Sequence, residues 1–282
     1  MKTILAPTDF SLNAYTALAY CVQLLKTESC RFILLHSFEN QVTHRTSRID
    51  IAKTESVVDE LYNDSEEKCE ELKNRIINES SGENHTFDII TTSISLSRAI
   101  NKLVEKENVD LIVMGSKGRT AAENVFMGSN TLTTLRKNTK AALLIIPKEI
   151  SFRSIQNIAF VTGFKRKYLQ NELKPIKYLA SVQQAEVKVV HIHEADEISD
   201  LQRENFHALF KVLNDHNPEA RWLTLDLDRH QTILNYLKKE NMDLLAMVYY
   251  KHNFIAELFR EAVVKNIAKK LPVPFLVIPA MD

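Results

Sequence analysis

The chain repeats itself, and this restricts its fold more than any other feature. ILAPTDF at 4–10 returns as IAFVTGF at 158–164, and KENVDLIVM at 106–114 returns as KENMDLLAM at 239–247. ALLIIP at 142–147 returns as PFLVIP at 274–279. Three matches in one order require two homologous units of ordinary domain size, so the 282 residues divide into domains at 1–150 and 151–282. The offset is 154 residues at the first match and 132 at the last, which makes the second copy 22 residues shorter. Most of that loss falls between its second and third strands. There the first copy alone carries the polar segment ENQVTHRTSRID, Glu39 to Asp50, and a long helical stretch.

Within each copy, short apolar runs alternate with longer amphipathic ones. TILAPT, RFILLHSF, TFDIITTS, DLIVMG and ALLIIP read as strands of the first copy. Between them, Ala14, Leu18, Cys21, Val22 and Leu25 share one helical face, as do Cys69, Leu72 and Ile76. Alternating strands and helices with apolar strands imply an α/β fold: two tandem doubly wound, Rossmann-like domains. Each is expected to have a five-stranded parallel sheet with helices on both faces. Such sheets bind ligands beyond the carboxyl ends of their strands, where the strand order reverses. The apolar closing strands ALLIIP and PFLVIP are expected at sheet edges, open to pairing with each other or with another molecule.

Composition narrows the partners. Lys plus Arg equals Asp plus Glu at 36 each, so no net field draws the chain to nucleic acid or to an anionic membrane. Cys21, Cys30 and Cys69 are odd in number and contain no C-x-x-C pair, which disfavours a disulfide framework or a zinc knuckle and fits a reducing compartment. MKTILAPTDFS is too short in apolar residues for a signal peptide, and no later run reaches membrane-spanning length, so a cytoplasmic location is expected.

Function concentrates in VMGSKGRTAAENVFMGSN, residues 113–130, which holds three of the five glycines of the chain. Gly115 ends an apolar strand, while Gly128 and Ser129 open a helix whose free N–H groups and macrodipole favour an anion. Glycine there permits positive φ and close approach of backbone to phosphate. Ser129 adds a hydroxyl, and Lys117 and Arg119 add positive charge. The spacing G-x2-G-x9-G-S is neither the P-loop nor the dinucleotide fingerprint. It resembles the nucleotide-binding motif of the universal stress protein family. APTDFS, LLHSF and ALLIIP look like the other landmarks of that family, over residues 1–148 and, in diverged form, 155–280.

The resemblance implies a set of roles. Asp9 would hold the adenosine part of ATP, with Pro7 and Thr8 lining the same pocket and the Ser37 backbone meeting the adenine edge. Met114 and Gly115 would lie against the ribose. Lys117, Gly118, Gly128, Ser129, Asn130 and Thr131 would surround the phosphates, with Mg²⁺ as the accompanying ion. Asp9 has a second reading as the N-cap of the first helix.

In the second copy Asp9 aligns with Gly163, Gly115 with Val248, Gly118 with Lys251 and Gly128 with Arg260, so ATP binding is expected in the first domain only. The second domain reads as a packing partner, or as a different site lined by Tyr249, Tyr250, His252 and Phe254. His191 and His193 would point to one side of a strand, with Glu194 next to them. No third ligand to a zinc ion is specified, and no metal site is assigned.

No catalytic residue is assigned. G-x-S-x-G and H-E-x-x-H are absent, and Glu123 is the carboxylate near the phosphate loop. Three functions stay open. One is an ATP-binding stress-response regulator that changes its association with a protein partner. The second is a slow ATPase or autophosphorylating protein with Ser129 or a neighbouring hydroxyl as acceptor, and the third a scaffold with structural nucleotide. The resemblance also implies an intramolecular pseudo-dimer and a possible homodimer. The 39–50 insert reads either as a lid over the nucleotide or as a solvated connection.

Overall fold

Strands β1 (Lys2–Thr8), β2 (Cys30–Ser37), β3 (Thr86–Thr92) and β4 (Leu111–Gly115) form where the apolar runs lie. Between them run helices α1 (Leu12–Leu24), α2 (Glu39–Thr46), α3 (Ile51–Glu79) and α4 (Leu96–Lys106), and α5 (Ser129–Lys137) follows β4. The structure, a computed structural model, describes residues 1–46, 51–79, 84–118, 127–138, 140–193, 198–226, 228–249 and 272–281. The chain separates into two compact units, the described residues up to Ala141 and those from Ala142 onward.

In the first unit the strand order is β3-β2-β1-β4, and the pairings between neighbours are parallel. Ile4, Leu5, Phe32, Ile33, Leu34, Leu35 and Ile112 are all fully buried. This is the continuous apolar reading of strands covered on both faces. Helix α1 buries Ala17, Leu18, Cys21 and Val22, and α3 buries Leu61, Cys69, Leu72 and Ile76 at helical spacing. Residues 39–46 of the polar insert form helix α2, so this part is not a loop; residues 47–50 lie outside the described residues.

The three cysteines are free thiols in this core. Burial pushes Cys69 up to about 12 and holds Cys21 well above the ordinary thiol range, so both stay protonated and unreactive.

The second unit contains β5 (Ala142–Ile146), β6 (Asn157–Val161), β7 (Glu186–His193), β8 (Glu219–Thr224), β9 (Leu244–Tyr249) and β10 (Phe275–Pro279). Its helices are α6 (Lys174–Gln183), α7 (Asp200–Leu213) and α8 (Arg229–Lys239). The order is β5-β10-β9-β6-β7-β8, parallel except that β5 runs antiparallel to β10, with Leu276 opposite Leu144.

The described strands therefore divide four and six between the units, not five and five. The two closing strands expected at edges meet each other here, because an apolar edge leaves unpaired N–H and C=O groups that a neighbouring strand satisfies. Helix α7 has 14 residues where α3 has 29, which accounts for most of the shortening of the second copy. Fully buried Glu172 was not foreseen: it accepts from the Arg166 guanidinium and from the amides of Leu169 and Met281. Among the described residues no helix is long and apolar enough to cross a membrane.

His85 makes the first unit sensitive to acid. Its ring packs edge-on against Phe32 and Phe87, Nδ1 faces the Cys30 amide at 3.4 Å, and Nε2 faces the Val22 carbonyl at 3.3 Å. An amide only donates and a carbonyl only accepts, so this arrangement holds the neutral ring. Burial lowers its pKa below the ordinary 6.5, and the bond to Val22 offsets this in part. The unfolded chain then takes up the proton first as pH falls, and stability is lost below about 6.5. The thermal midpoint of the first unit is expected to fall between pH 7 and 5. His85→Gln keeps a donor and an acceptor without titrating and should flatten that slope; an unchanged slope in a calorimetric pH series counts against this account.

Candidate functional site

Strand pairing opens the site. β1 pairs with β2 through Thr8↔His36, but with β4 only at Ile4↔Leu111 and Leu5↔Ile112. Beyond Leu5 the ends of β1 and β4 part at the position where the strand order reverses, which is where an open α/β sheet receives its ligand. The β1–α1 turn stands on one side of this opening and the start of the glycine loop on the other.

The turn is held by local hydrogen bonds. Phe10 adopts φ 60°, a left-handed conformation costly for a side chain of this size. Its amide donates to Thr8 Oγ1 at 3.0 Å, and the Ser11 amide donates to Asp9 Oδ1 at 3.1 Å. Ser11, not Asp9, is the N-cap of α1, accepting from the Ala14 amide at 3.3 Å. The capping reading of Asp9 is thereby corrected. One carboxylate oxygen braces the turn, and the other, Oδ2, faces Gly118: a Cβ built on Gly118 would lie 3.1 Å from it.

The glycines act by close approach. Among the described glycines none has positive φ, which corrects half of the expectation placed on them. A Cβ on Gly115 would sit 2.9 Å from the Asn13 carbonyl oxygen of α1, and one on Gly128 would sit 3.2 Å from the Gly118 amide nitrogen. The Gly128 amide donates to the Ser116 carbonyl at 2.8 Å, and Thr131 Oγ1 to the Gly115 carbonyl at 2.9 Å. The two ends of the loop are thus tied to each other and pressed against the β1–α1 turn.

At this junction Ser129 and Asn130 are exposed. The amides of residues 129–131 precede the first backbone bond of α5, from the Leu132 amide to the Gly128 carbonyl at 3.0 Å. Gly128 caps the helix without a side chain, which leaves this start open to an anion.

The other expected site residues fall into two groups. Pro7 and Met114 are buried in β1 and β4, while Thr8 and Lys117 are half-buried beside the opening. The hydroxyls of Ser37 and Thr131 are already engaged, with the carbonyls of Ile94 at 2.7 Å and Gly115, so these residues offer backbone to a ligand. Arg119 and Glu123 lie outside the described residues.

Sequence reasoning missed Asn13, Ser116 and, above all, His36. His36 Nδ1 meets the Thr8 carbonyl at 2.8 Å, and its ring lies 4.5 Å from that of Phe10. The signal was present in what the two copies share, Thr8 with Thr162, Phe10 with Phe164 and His36 with His191, rather than in what the second has lost.

The second unit repeats this frame without the carboxylate. The Phe164 amide donates to Thr162 Oγ1 at 3.1 Å, Phe164 has φ 53°, and His191 Nδ1 meets the Thr162 carbonyl at 2.9 Å. Side chains of α7 then take the turn: Gln202 donates to the Gly163 carbonyl at 2.9 Å and Asn205 to the Phe164 carbonyl at 2.8 Å. Phe206 and Trp222 pack on Phe164 at 5.4 and 5.9 Å.

His191 is committed to Thr162 and to the Phe164 and Trp222 rings, and burial, chiefly, lowers its pKa. Among the described residues no group of three or more metal-ligating side chains is assembled; Glu194 lies outside them. Val248 is buried in β9 and Tyr249 ends it, while Tyr250, Lys251, His252, Phe254 and Arg260 lie outside the described residues. A cleft of about 650 Å³ lined by Lys177, Ser181, Asp215 and His216 opens at the amino end of β7, away from the strand ends that carry the turn.

Comparison with known proteins gives the family and the fold. The universal stress protein family model matches residues 1–147, and the chain belongs to that family. A universal stress protein of Methanocaldococcus jannaschii is 33% identical over 153 residues, covering 51% of this chain and 94% of that protein. In structure the whole chain is similar to a universal stress protein from Archaeoglobus fulgidus, with a TM-score of 0.68 at 19% identity, covering 99% of this chain and 97% of that one. It is also similar to a functionally unknown protein from Pseudomonas aeruginosa, with a TM-score of 0.56 at 12% identity, covering 99% and 93%. These two likenesses show the fold alone.

The close approaches set an order of mutational cost. Gly115→Ala meets backbone of α1 that cannot give way, whereas Gly118→Ala meets only a carboxylate that can turn aside. Gly115→Ala is expected to lose about 1–3 kcal/mol, more than Gly118→Ala, in ligand-free denaturant unfolding. The reverse order would mean that the loop does not rest on α1 in this way.

Proposed function

We propose that the first unit binds an adenine nucleotide, ATP with Mg²⁺, and that the protein is a stress-response regulator whose association with a protein partner follows nucleotide occupancy. The observation that carries this reading is the opposition of Asp9 to Gly118 across the opening between β1 and β4, next to the open start of α5. A carboxylate on one side suits the hydroxyls of a ribose. Free amides, an exposed Ser129 and Lys117 on the other suit a polyphosphate.

The donors near α5 are amides, a hydroxyl and an ammonium group. They fit a divalent ion carried by phosphate oxygens, with Ser129 as its protein contact, and when bound this ion would neutralise phosphate charge. Pro7, Met114 and the Ser37 backbone would complete the base and ribose walls. In the second unit the Gly163 turn has no carboxylate, and its carbonyls are taken by Gln202 and Asn205, which supports one nucleotide per chain.

Turnover is a separate matter. The described groups bind and orient, and no general base is assigned among them, so hydrolysis is expected to be slow or absent. Incubation with γ-labelled ATP reads both free phosphate and labelled protein, and label on Ser129 would turn the reading toward autophosphorylation. Nucleotide that survives purification and dialysis would make it a structural component.

The primary test is calorimetric titration of nucleotide-free protein with Mg·ATP. One site per chain is expected. Asp9→Ala should weaken binding at least about tenfold, since a charge-assisted hydrogen bond is lost. Two sites per chain, or full affinity in the variant, would overturn the assignment.

A further inference from the structure

We propose that His36 is a positioning residue for the nucleotide site, aiming the Asp9 carboxylate by holding the residues on either side of it. This rests on the nucleotide reading above and deepens it. Asp9 lies between Thr8, the last residue of β1, and Phe10. At this point β1 has left β4, so the turn has a strand neighbour on one side only. From that side His36, directly opposite Thr8 in register, reaches both flanking residues: Nδ1 to the Thr8 carbonyl at 2.8 Å, and its ring to the Phe10 ring at 4.5 Å. A carbonyl only accepts, so Nδ1 carries the proton.

Phe10 is held at φ 60°, a conformation that relaxes unless its surroundings enforce it. The enforcement includes the Phe10 amide on Thr8 Oγ1, the Ser11 amide on Asp9 Oδ1, and His36 on the Thr8 carbonyl and the Phe10 ring. His36 is only 6% exposed, so water cannot replace its bond. No direct contact with Asp9 is needed: His36 sets the geometry from which Asp9 faces Gly118.

The second unit supplies the control. His191, Thr162 and Phe164 build the same frame around Gly163, where a Cβ would meet only the Lys165 side chain, at 3.7 Å. The frame therefore neither requires glycine at its centre nor depends on a nucleotide. It stabilises both turns, and it positions a carboxylate in the first alone.

Three variants separate the two roles. His36→Phe keeps an aromatic ring on Phe10 and deletes the donor, His36→Asn keeps a donor at the reach of Nδ1, and His191→Phe deletes the same donor in the second unit. Each is measured for thermal midpoint, for Mg·ATP affinity by titration calorimetry, and for hydrogen exchange of the Phe10 and Ser11 amides without nucleotide.

His36→Phe and His191→Phe are expected to lower the midpoint by similar amounts. Only His36→Phe should weaken Mg·ATP, by about tenfold, the effect of one lost hydrogen bond, and speed exchange at Phe10 and Ser11. His36→Asn should recover most of both. Affinity within about twofold of wild type in His36→Phe, or equal losses in His36→Phe and His191→Phe, would reduce His36 to a core residue and overturn the proposal. If wild type binds no Mg·ATP, the nucleotide reading falls by itself. Exchange then decides the positioning: unchanged protection at Phe10 and Ser11 overturns it, and faster exchange with recovery in His36→Asn upholds it.

Discussion

The first unit is organised around a contact that exists because a side chain is missing. Gly115 ends β4 so close to α1 that a Cβ would fall 2.9 Å from the Asn13 carbonyl. With that approach allowed, Gly118 comes against Asp9, Gly128 against Gly118, and the start of α5 arrives beside the carboxyl end of β1. Helix start, carboxylate and parted strands are each common features of α/β proteins; their convergence on one opening follows from the fit of these glycines.

The two units show how one frame supports different fillings. In both, a Thr hydroxyl and carbonyl, a left-handed Phe and a His from the neighbouring strand shape the turn after the first strand. In the first unit the turn presents Asp9 to the glycine loop. In the second it presents Gly163, and Gln202 and Asn205 occupy its carbonyls while Phe206 and Trp222 pack on its Phe. The buried Phe164 carbonyl must be satisfied, and Asn205 of α7 satisfies it. The short helix that accounts for most of the missing residues of the second copy is thus also the element that closes its turn.

Much of this was legible in the residues. The apolar runs marked the strands because a strand covered on both faces leaves no polar position, and the internal matches marked the repeat. The glycine spacing marked the end of β4 and the start of α5. Its mechanism was half wrong, since positive φ and close packing both select glycine and leave the same letter in the sequence. Asp9 and Ser11 both suit a helix start, and only the geometry of the turn assigned the cap to Ser11. Glu172 is core through partners that include Met281, far along the chain, which no local pattern marks.

By itself, the sequence determined the α/β alternation, the duplication, the place of the glycine loop and the loss of its counterpart, because these depend on local periodicity and on residue identity. Tertiary structure decided that β5 pairs antiparallel with β10, that the glycines serve contact rather than positive φ, and that His36 and His191 belong to the turns after β1 and β6. Each of these is an approach between segments distant in the chain. Their free energy comes from surfaces that exist only once the strands are in register, so no short stretch of residues specifies them.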